Sequence, residues 1–338
     1  MTSDGSQVLY DRTYVRYARG MQAPSGFRWR LAGTDGQASL FGDEEEPGRD
    51  LPGVDYLHVR ARSVISRVPA ASRMPFRYTI NAYRGCAHAC VYCFARPTHE
   101  HLGLGAGEDF ERRIVVKVNA VERVRAELAS PRWAREPIAM GTNTDPYQPA
   151  EGRYRLTRGV IEALLERDNP FSILTKSTMI VRDLDLLEGG ARRGLVRASM
   201  SIGTLDPEVA RTTEPGAPPP ARRLAALARL AEAGIPTGVL VAPILPGLSD
   251  SPDQIDAVVK ACLQAGAGSV TGLVLHLRPG VREVFMPWLE GHSPALARRY
   301  ASMYASRSGY LPAPASQQVG DRVRRAVAAH RQGLPLPV

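Results

Sequence analysis

From residue 76 to residue 277 one rhythm repeats: a short apolar run, a polar loop, an amphipathic stretch, then the next apolar run. The runs are FRYTINAY (76–83), EPIAMG (136–141), FSILTKS (171–177), VRASMSIGT (196–204), IPTGVLVAPI (235–244) and SVTGLVLHL (269–277). They are short, rich in aliphatic or aromatic residues and close to continuously apolar, the pattern of strands buried on both faces. RIVVKV (113–118) is one further extended run. Between them, VERVRAELA (121–129) and the stretches 157–168, 181–193, 221–234 and 251–267 carry apolar residues at helical spacing. Asn119 stands where the first of these helices needs a cap, and Gly234 where the fourth needs a stop.

Buried strands alternating with helices belong to a parallel sheet covered by those helices. Because successive βα units turn with one hand, such a sheet curls into a barrel or part of one. The expected class is α/β: a partial (β/α)6 TIM-like barrel with parallel strands. A flexible N-terminal extension over 1–55 precedes the barrel (56–280), and a C-terminal helical and proline-rich region over 281–338 follows it. Active sites in this architecture form where the loops leave the C-terminal ends of the strands. Those loops hold the unusual residues: CAHACVYCFAR, TNTDPYQPAE, TKS and RPG.

Composition narrows the class further. Hydrophobic residues are 44% and charged residues 23% of the 338, which excludes a wholly disordered chain. No apolar run reaches the ~20 residues of a membrane helix. The first twenty residues have no apolar core of the secretory type, so a cytoplasmic protein is expected. A net charge of +9 invites a nucleic-acid partner. Only Lys117, Lys176 and Lys260 are lysines, however, and the arginines are spread along the whole chain, which a coding bias toward arginine explains as well. Residues 33–53 are turn-rich and acidic without period, the reading of a poorly ordered segment.

Cys86, Cys90 and Cys93 fall within eight residues, and Cys262 stands alone. On a helix the three would share one face as small core residues. A structural zinc is the second reading, with His88, His99 or His101 completing four ligands, at no common spacing. The third is a [4Fe–4S] cluster on three thiolates, one iron left free for a ligand. A regular helix would hold Cys86 and Cys93 about 10 Å apart, too far for one cube, so this reading needs a coiled loop. Cys262 lies three or four residues from Val258 and Val259 on its helix, an apolar stripe, and reads as core.

The loop Cys-x3-Cys-x2-Cys, with Tyr92 before its last cysteine and a strand before its first, resembles the radical SAM superfamily. The phrases INAYRGCAHACVYCFARP, GTNTDPYQPAE, ILTKS, SIGTLD and APILPG are similar to its spore photoproduct lyase-related group. The resemblance covers roughly 76–280. It implies a cluster held by Cys86, Cys90 and Cys93, S-adenosyl-L-methionine on the free iron, and reductive cleavage to a 5′-deoxyadenosyl radical that takes hydrogen from a substrate. It also implies an external one-electron reductant of the flavodoxin or ferredoxin type. Residue by residue it places Tyr92 near the adenine and Gly141, Thr142 and Asn143 at the methionine amino group. Lys176, Ser201 and Arg223 match further cofactor contacts.

One departure from the lyase pattern stands out. The lyase carries a hydrogen-donating cysteine on the loop after its second strand; here 137–148 has none, and Thr142 is the nearest counterpart. Asp145, Tyr147, Glu151, His276 and Arg278 are candidates for substrate contact, against plain turn chemistry for Asp145 and a satisfied buried histidine for His276. His99 and His101 read as residues behind the loop or in solvent. Two alternatives stay open: a radical enzyme acting on a nucleic-acid base, and a non-catalytic metal-bearing protein that binds nucleic acid. Gln37-Ala38-Ser39-Leu40-Phe41 resembles the peptide by which DNA-maintenance proteins dock on the sliding clamp, with a chance pentapeptide as the alternative.

Overall fold

The computed structural model describes residues 29–31, 51–72, 74–306 and 308–331. The Gln37–Phe41 segment, and most of the 1–55 extension, lie outside the described residues. The chain runs through strands β1 (Trp29–Leu31), β2 (Asp55–Ala61), β3 (Ile65–Arg67), β4 (Tyr78–Ile80) and β5 (Tyr83–Arg84). Next come α1 (Glu108–Arg112), β6 (Arg113–Lys117), α2 (Ala120–Leu128), β7 (Ile138–Met140), α3 (Ala150–Tyr154) and α4 (Leu156–Glu166). Then follow β8 (Phe171–Thr175), α5 (Leu184–Arg192), β9 (Val196–Ser201), α6 (Pro207–Thr213), α7 (Pro220–Glu232) and β10 (Thr237–Ile244). The described chain closes with α8 (Pro252–Gln264), β11 (Val270–Val274), α9 (Arg282–His292), α10 (Pro294–Met303) and α11 (Ala313–Arg331).

Six strands pair in parallel in the order β4-β7-β8-β9-β10-β11, and β3 adds an antiparallel edge beside β4. This is the expected partial barrel: the sheet stays open between β3 and β11. Its core forms where Ile173, Ala198, Met200, Val239 and Val241 meet the inner stripes of α4 (Val160, Ile161, Leu164), α7 (Leu227, Leu230) and α8 (Val258, Val259). Each such side chain contributes about 1.5–3 kcal/mol by leaving water. Cys262 is fully buried in the same cluster, and burial pushes its thiol up to about 12.

Two details depart from the sequence reading. The run 76–83 does not stay in one sheet. After Ile80 the Asn81 carbonyl takes the Lys117 ammonium (2.6 Å), and the chain leaves as β5 to pair with β6. The run 113–118 therefore belongs to a separate four-stranded sheet, β1-β2-β6-β5. Asn119 does sit at the start of α2, but its amide does not cap it. It bonds both backbone groups of Ala61, at 2.8 and 2.9 Å, and so ties α2 to β2.

Past the barrel, α11 lays Val319, Val323 and Ala326 into the main core, against α8 and β11. Helices α9 and α10 do something different. Phe285, Leu289, Leu296, Ala297, Tyr300 and Tyr304 pack with Leu245, Leu275 and Leu277 and with Cys90 and Tyr92 of the cysteine loop. No helix among the described residues is long and apolar enough to cross a membrane.

Candidate active site

The three cysteines lie on a coiled loop between β5 and a 3-10 turn (Arg96–Leu102), with no helix between them. A shared helical face is therefore excluded. Gly85 and Ala89 adopt left-handed backbone, φ 77° and 54°, which turns the chain back on itself. The carbonyls of Cys86, Cys90 and Cys93 each close a turn, on the amides of Ala89, Cys93 and Arg96, all at 3.2 Å.

Three neighbours fasten this loop. Arg96, fully buried, gives its guanidinium to the carbonyls of Cys90, Ala106 and Gly107 and to Glu111. From the β7 loop, the Gln148 amide accepts from Ala87 N (3.1 Å) and donates to the Gly85 carbonyl (2.9 Å), which also takes the Thr144 hydroxyl. The α6–α7 connection adds backbone bonds, Val91 N to Thr213 O and Gly216 N to His88 O, both 3.0 Å. These clamps hold the loop's backbone, and none of its three thiols is in a disulfide.

The donor set suits an iron–sulfur cluster. Cys86 and Cys90 are buried and Cys93 half-buried. Burial pushes all three thiols up, the fields of Asp145 and then of Cys90 and Cys93 raise Cys86 further, and Glu214 raises Cys90. Lys176 and Arg223 act on Cys90 in the opposite sense, as Arg96, Lys176 and Arg278 do on Cys93. Three soft donors in an apolar setting ringed by cations match a thiolate-held group of net negative charge. Among the described residues, no three His, Cys, Asp or Glu side chains, the three cysteines included, are grouped to hold a metal ion. A zinc completed by His99 finds no support in the local geometry. Its imidazole packs behind the loop, edge-on to Phe110, with Nε2 3.0 Å from the Arg113 carbonyl.

Beside Cys90, three of the residues singled out in the sequence meet at one that was not, Glu214, and a fourth, Ser201, is bonded to two of them. Its carboxylate accepts the Tyr92 hydroxyl and the Arg223 guanidinium and lies 3.2 Å from Lys176 Nζ. The Lys176 ammonium also donates to Ser201 Oγ (2.7 Å) and sits 5.6 Å above the Tyr92 ring, while Arg223 reaches the Ser201 carbonyl (3.1 Å). These groups come from the cysteine loop, the ends of β8 and β9, the α6–α7 connection and α7. Burial holds the Lys176 amine below its ordinary range. Glu214 was not legible in the sequence, because Tyr92 lies 122 residues away and only the fold brings it and Lys176 to the carboxylate.

The β7 loop supplies the other wall. Gly141 has φ 87°, and a Cβ there would lie 2.0 Å from the Leu174 carbonyl oxygen, so only glycine fits. Asn81, also missed in the sequence, holds the turn: its side chain bonds the Thr142 hydroxyl (3.0 Å) and the Asn143 amide (3.0 Å). Asp145 is a positioning group. It accepts from Tyr147 N (2.9 Å), Thr175 Oγ1 (2.6 Å) and Lys176 N (2.7 Å), and lies 3.5 Å from His88 Nδ1. Burial opposes its charge, but His88 and these donors outweigh burial and hold its carboxyl below the usual range.

The remaining candidates separate. Tyr147 and Glu151 turn away from the cysteine loop into a buried network. Tyr147 donates to Asp183 (3.0 Å), and Glu151 accepts from Tyr83 (2.5 Å) and Arg182 (2.8 Å). Their polar atoms join the start of α4 to the segment before α5. His276 and Arg278 follow β11 at the sheet's C-terminal end, and Arg278 donates to the Phe94 carbonyl, one residue past Cys93. His101 is half-buried.

Known proteins share this chain's family pattern and its fold. A model of the Radical SAM superfamily matches residues 80–261. An uncharacterized protein of Mycobacterium tuberculosis is 45% identical over 279 residues, 82% of this chain and 82% of its own. Another, from Methanocaldococcus jannaschii, is 29% identical over 199 residues, 58% of this chain and 70% of its own. Among solved structures, spore photoproduct lyase complexed with dinucleoside spore photoproduct has a similar fold. Its TM-score is 0.60 at 19% identity, over 82% of this chain and 80% of that one. A lyase variant with bound AdoMet and dinucleoside spore photoproduct gives 0.58 at 18% identity, over 78% and 76%.

Proposed function

The chain belongs to the Radical SAM superfamily, and we propose that it is a radical S-adenosylmethionine enzyme whose cluster is held by Cys86, Cys90 and Cys93. The reduced [4Fe–4S] cluster and S-adenosylmethionine supply, when bound, a 5′-deoxyadenosyl radical that abstracts hydrogen from the substrate. This chain's residues bind, orient and shield. Lys176 and Arg223, both held on Glu214, offer cationic N–H groups to a carboxylate, and the Ser201 hydroxyl, donated to the Ala242 carbonyl, positions Lys176. The Gly141–Asn143 turn, held by Asn81, presents acceptors to an ammonium group. Tyr92, its hydroxyl fixed on Glu214, offers a ring edge to an adenine. The apolar wall of α9 and α10 keeps water from the loop. An external one-electron reductant of the flavodoxin or ferredoxin type delivers the electron.

The observation that carries this reading is the meeting of Tyr92, Lys176, Ser201 and Arg223 around Glu214, next to Cys90. Anaerobic reconstitution tests it. About four irons and four sulfides per chain are expected, with release of methionine and 5′-deoxyadenosine on reduction. Reconstituted protein that neither binds nor cleaves S-adenosylmethionine overturns it.

A nucleic-acid base as substrate is the second reading. It is favoured by the net charge of +9 and by a fold shared with a protein solved with a dinucleoside ligand. A thiol hydrogen donor does not carry over from the lyase, since 137–148 holds no cysteine. Oligonucleotide affinity that falls steeply with salt supports this reading; affinity independent of salt removes it. Zinc in place of iron in protein purified without air would instead favour a non-catalytic metal-bearing binding protein.

A further inference from the structure

Four large hydrophobic side chains stand exposed among the described residues, and two are aromatic: Phe94 at 47% and Tyr310 at 54%. Both lie at the same end of the sheet. Phe94 follows Cys93 directly, and its ring and carbonyl engage Arg278, with the guanidinium carbon 5.9 Å from the ring centroid. Tyr310 packs on the His276 ring, centroids 4.3 Å apart and planes at 59°. The segment after β11 joins the two pairs. His276 and Arg278 are two residues apart, and the Leu277 amide between them bonds the Gly309 carbonyl (2.7 Å), which anchors the turn carrying Tyr310. The exposed guanidinium of Arg278 pairs with no carboxylate among the described residues, and its field reaches Cys93.

An exposed phenylalanine, arginine and tyrosine and a half-buried histidine along one edge do not serve a core. They form a platform of alternating flat rings and cationic or hydrogen-bonding groups beside the cysteine loop. Flat rings stack on nucleobases whatever the sequence, and an unpaired guanidinium takes a phosphate. We propose that Phe94, Arg278, His276 and Tyr310 form a docking platform for single-stranded nucleic acid, with bases stacked on Phe94 and Tyr310 and a phosphate on Arg278. The strand then lies beside Cys93. The net charge of +9 supplies the long-range attraction such a polyanion needs. A duplex fits less well, since its bases are already stacked and the platform offers no element shaped for a groove. The inference rests on the proposed reading only in taking the neighbouring site as the reaction centre.

The test is fluorescence anisotropy with a labelled single-stranded DNA of mixed sequence and its RNA equivalent, using reconstituted full-length protein. Phe94→Ala and Tyr310→Ala should each weaken binding roughly 5- to 100-fold, the range of one lost stacking contact. Phe94→Tyr and Tyr310→Phe, which keep the rings, should restore it. Arg278→Ala should reduce the salt slope by about one. A base-free polyanion such as polyphosphate should bind more weakly and not respond to the ring substitutions. Oligonucleotide binding that is absent, or unchanged in both ring-deleting variants, overturns the platform. So does equal loss in Phe94→Tyr or Tyr310→Phe, which reports misfolding in place of lost stacking. Iron content and S-adenosylmethionine cleavage by the wild type are read separately. Their failure overturns the proposed enzyme, and their success beside failed oligonucleotide binding overturns only the platform.

Discussion

Replacing Glu214 by Gln removes one negative charge and keeps the shape. In the wild type that charge sits between Arg223, 1% exposed, and Lys176, whose side chain is 13% exposed, so water cannot take its place. Breaking a buried pair by removing one partner costs about 3–5 kcal/mol, because the other charge stays buried and uncompensated. Gln keeps one acceptor oxygen for Arg223 and turns its amide N–H toward the Tyr92 hydroxyl, which must then accept, so the lower end, about 3 kcal/mol, is expected. The assay is urea unfolding of the apo protein, read as a lower midpoint at unchanged slope. Adding Lys176→Met should recover part of the loss, with a coupling of about 1–2 kcal/mol between the two sites. A loss under about 1 kcal/mol for Glu214→Gln, or strict additivity with Lys176→Met, refutes the claim that Glu214 holds the two cations together.

Cys86→Ala, Cys90→Ala and Cys93→Ala should each abolish stable iron incorporation, while Cys262→Ala keeps it; iron analysis after anaerobic reconstitution distinguishes the four. In folded protein Cys262 should resist alkylation at pH 8, since burial raises its thiol to about 12 and keeps it protonated, and should react only on unfolding. Gly141→Ala forces a Cβ into the Leu174 carbonyl at positive φ and should cost at least about 2 kcal/mol in the same urea assay. Asn119→Ala should destabilise by about 1–3 kcal/mol, because it strands the Ala61 amide and carbonyl; a loss unchanged when Ala61 is bonded otherwise would point to a simple cap.

What the sequence made legible follows from local rules. Burial on both faces leaves uninterrupted apolar runs, so the inner parallel strands stand out, as do the helices whose stripes face them; β11, at the edge, is apolar in sequence yet exposes Thr271 and Leu273. The cysteine loop, the β7 turn and Lys176 fall at one end of the sheet because parallel strands all point the same way. Partners distant along the chain were not legible. Glu214 lies 122 residues from Tyr92, and nothing in EPGAPPP marks its carboxylate as the meeting point. Asn81 reads as one polar residue inside a strand, yet its carbonyl and amide end β4 and redirect the chain. Tyr147 lies on the same loop as Asp145, and Glu151 on α3, which follows it. Backbone turns aim them at Asp183 and Arg182, and loop membership says nothing of that direction. The strand β3 is only three residues long, too short for alternation to announce it.

Mössbauer spectroscopy of protein reconstituted with 57Fe tests the central claim most directly. Three thiolate corners and one without a cysteine predict a spectrum in which a single iron of the four shifts on addition of S-adenosylmethionine while three stay fixed. Four equivalent irons that ignore the cofactor, or a single mononuclear metal, would contradict the account.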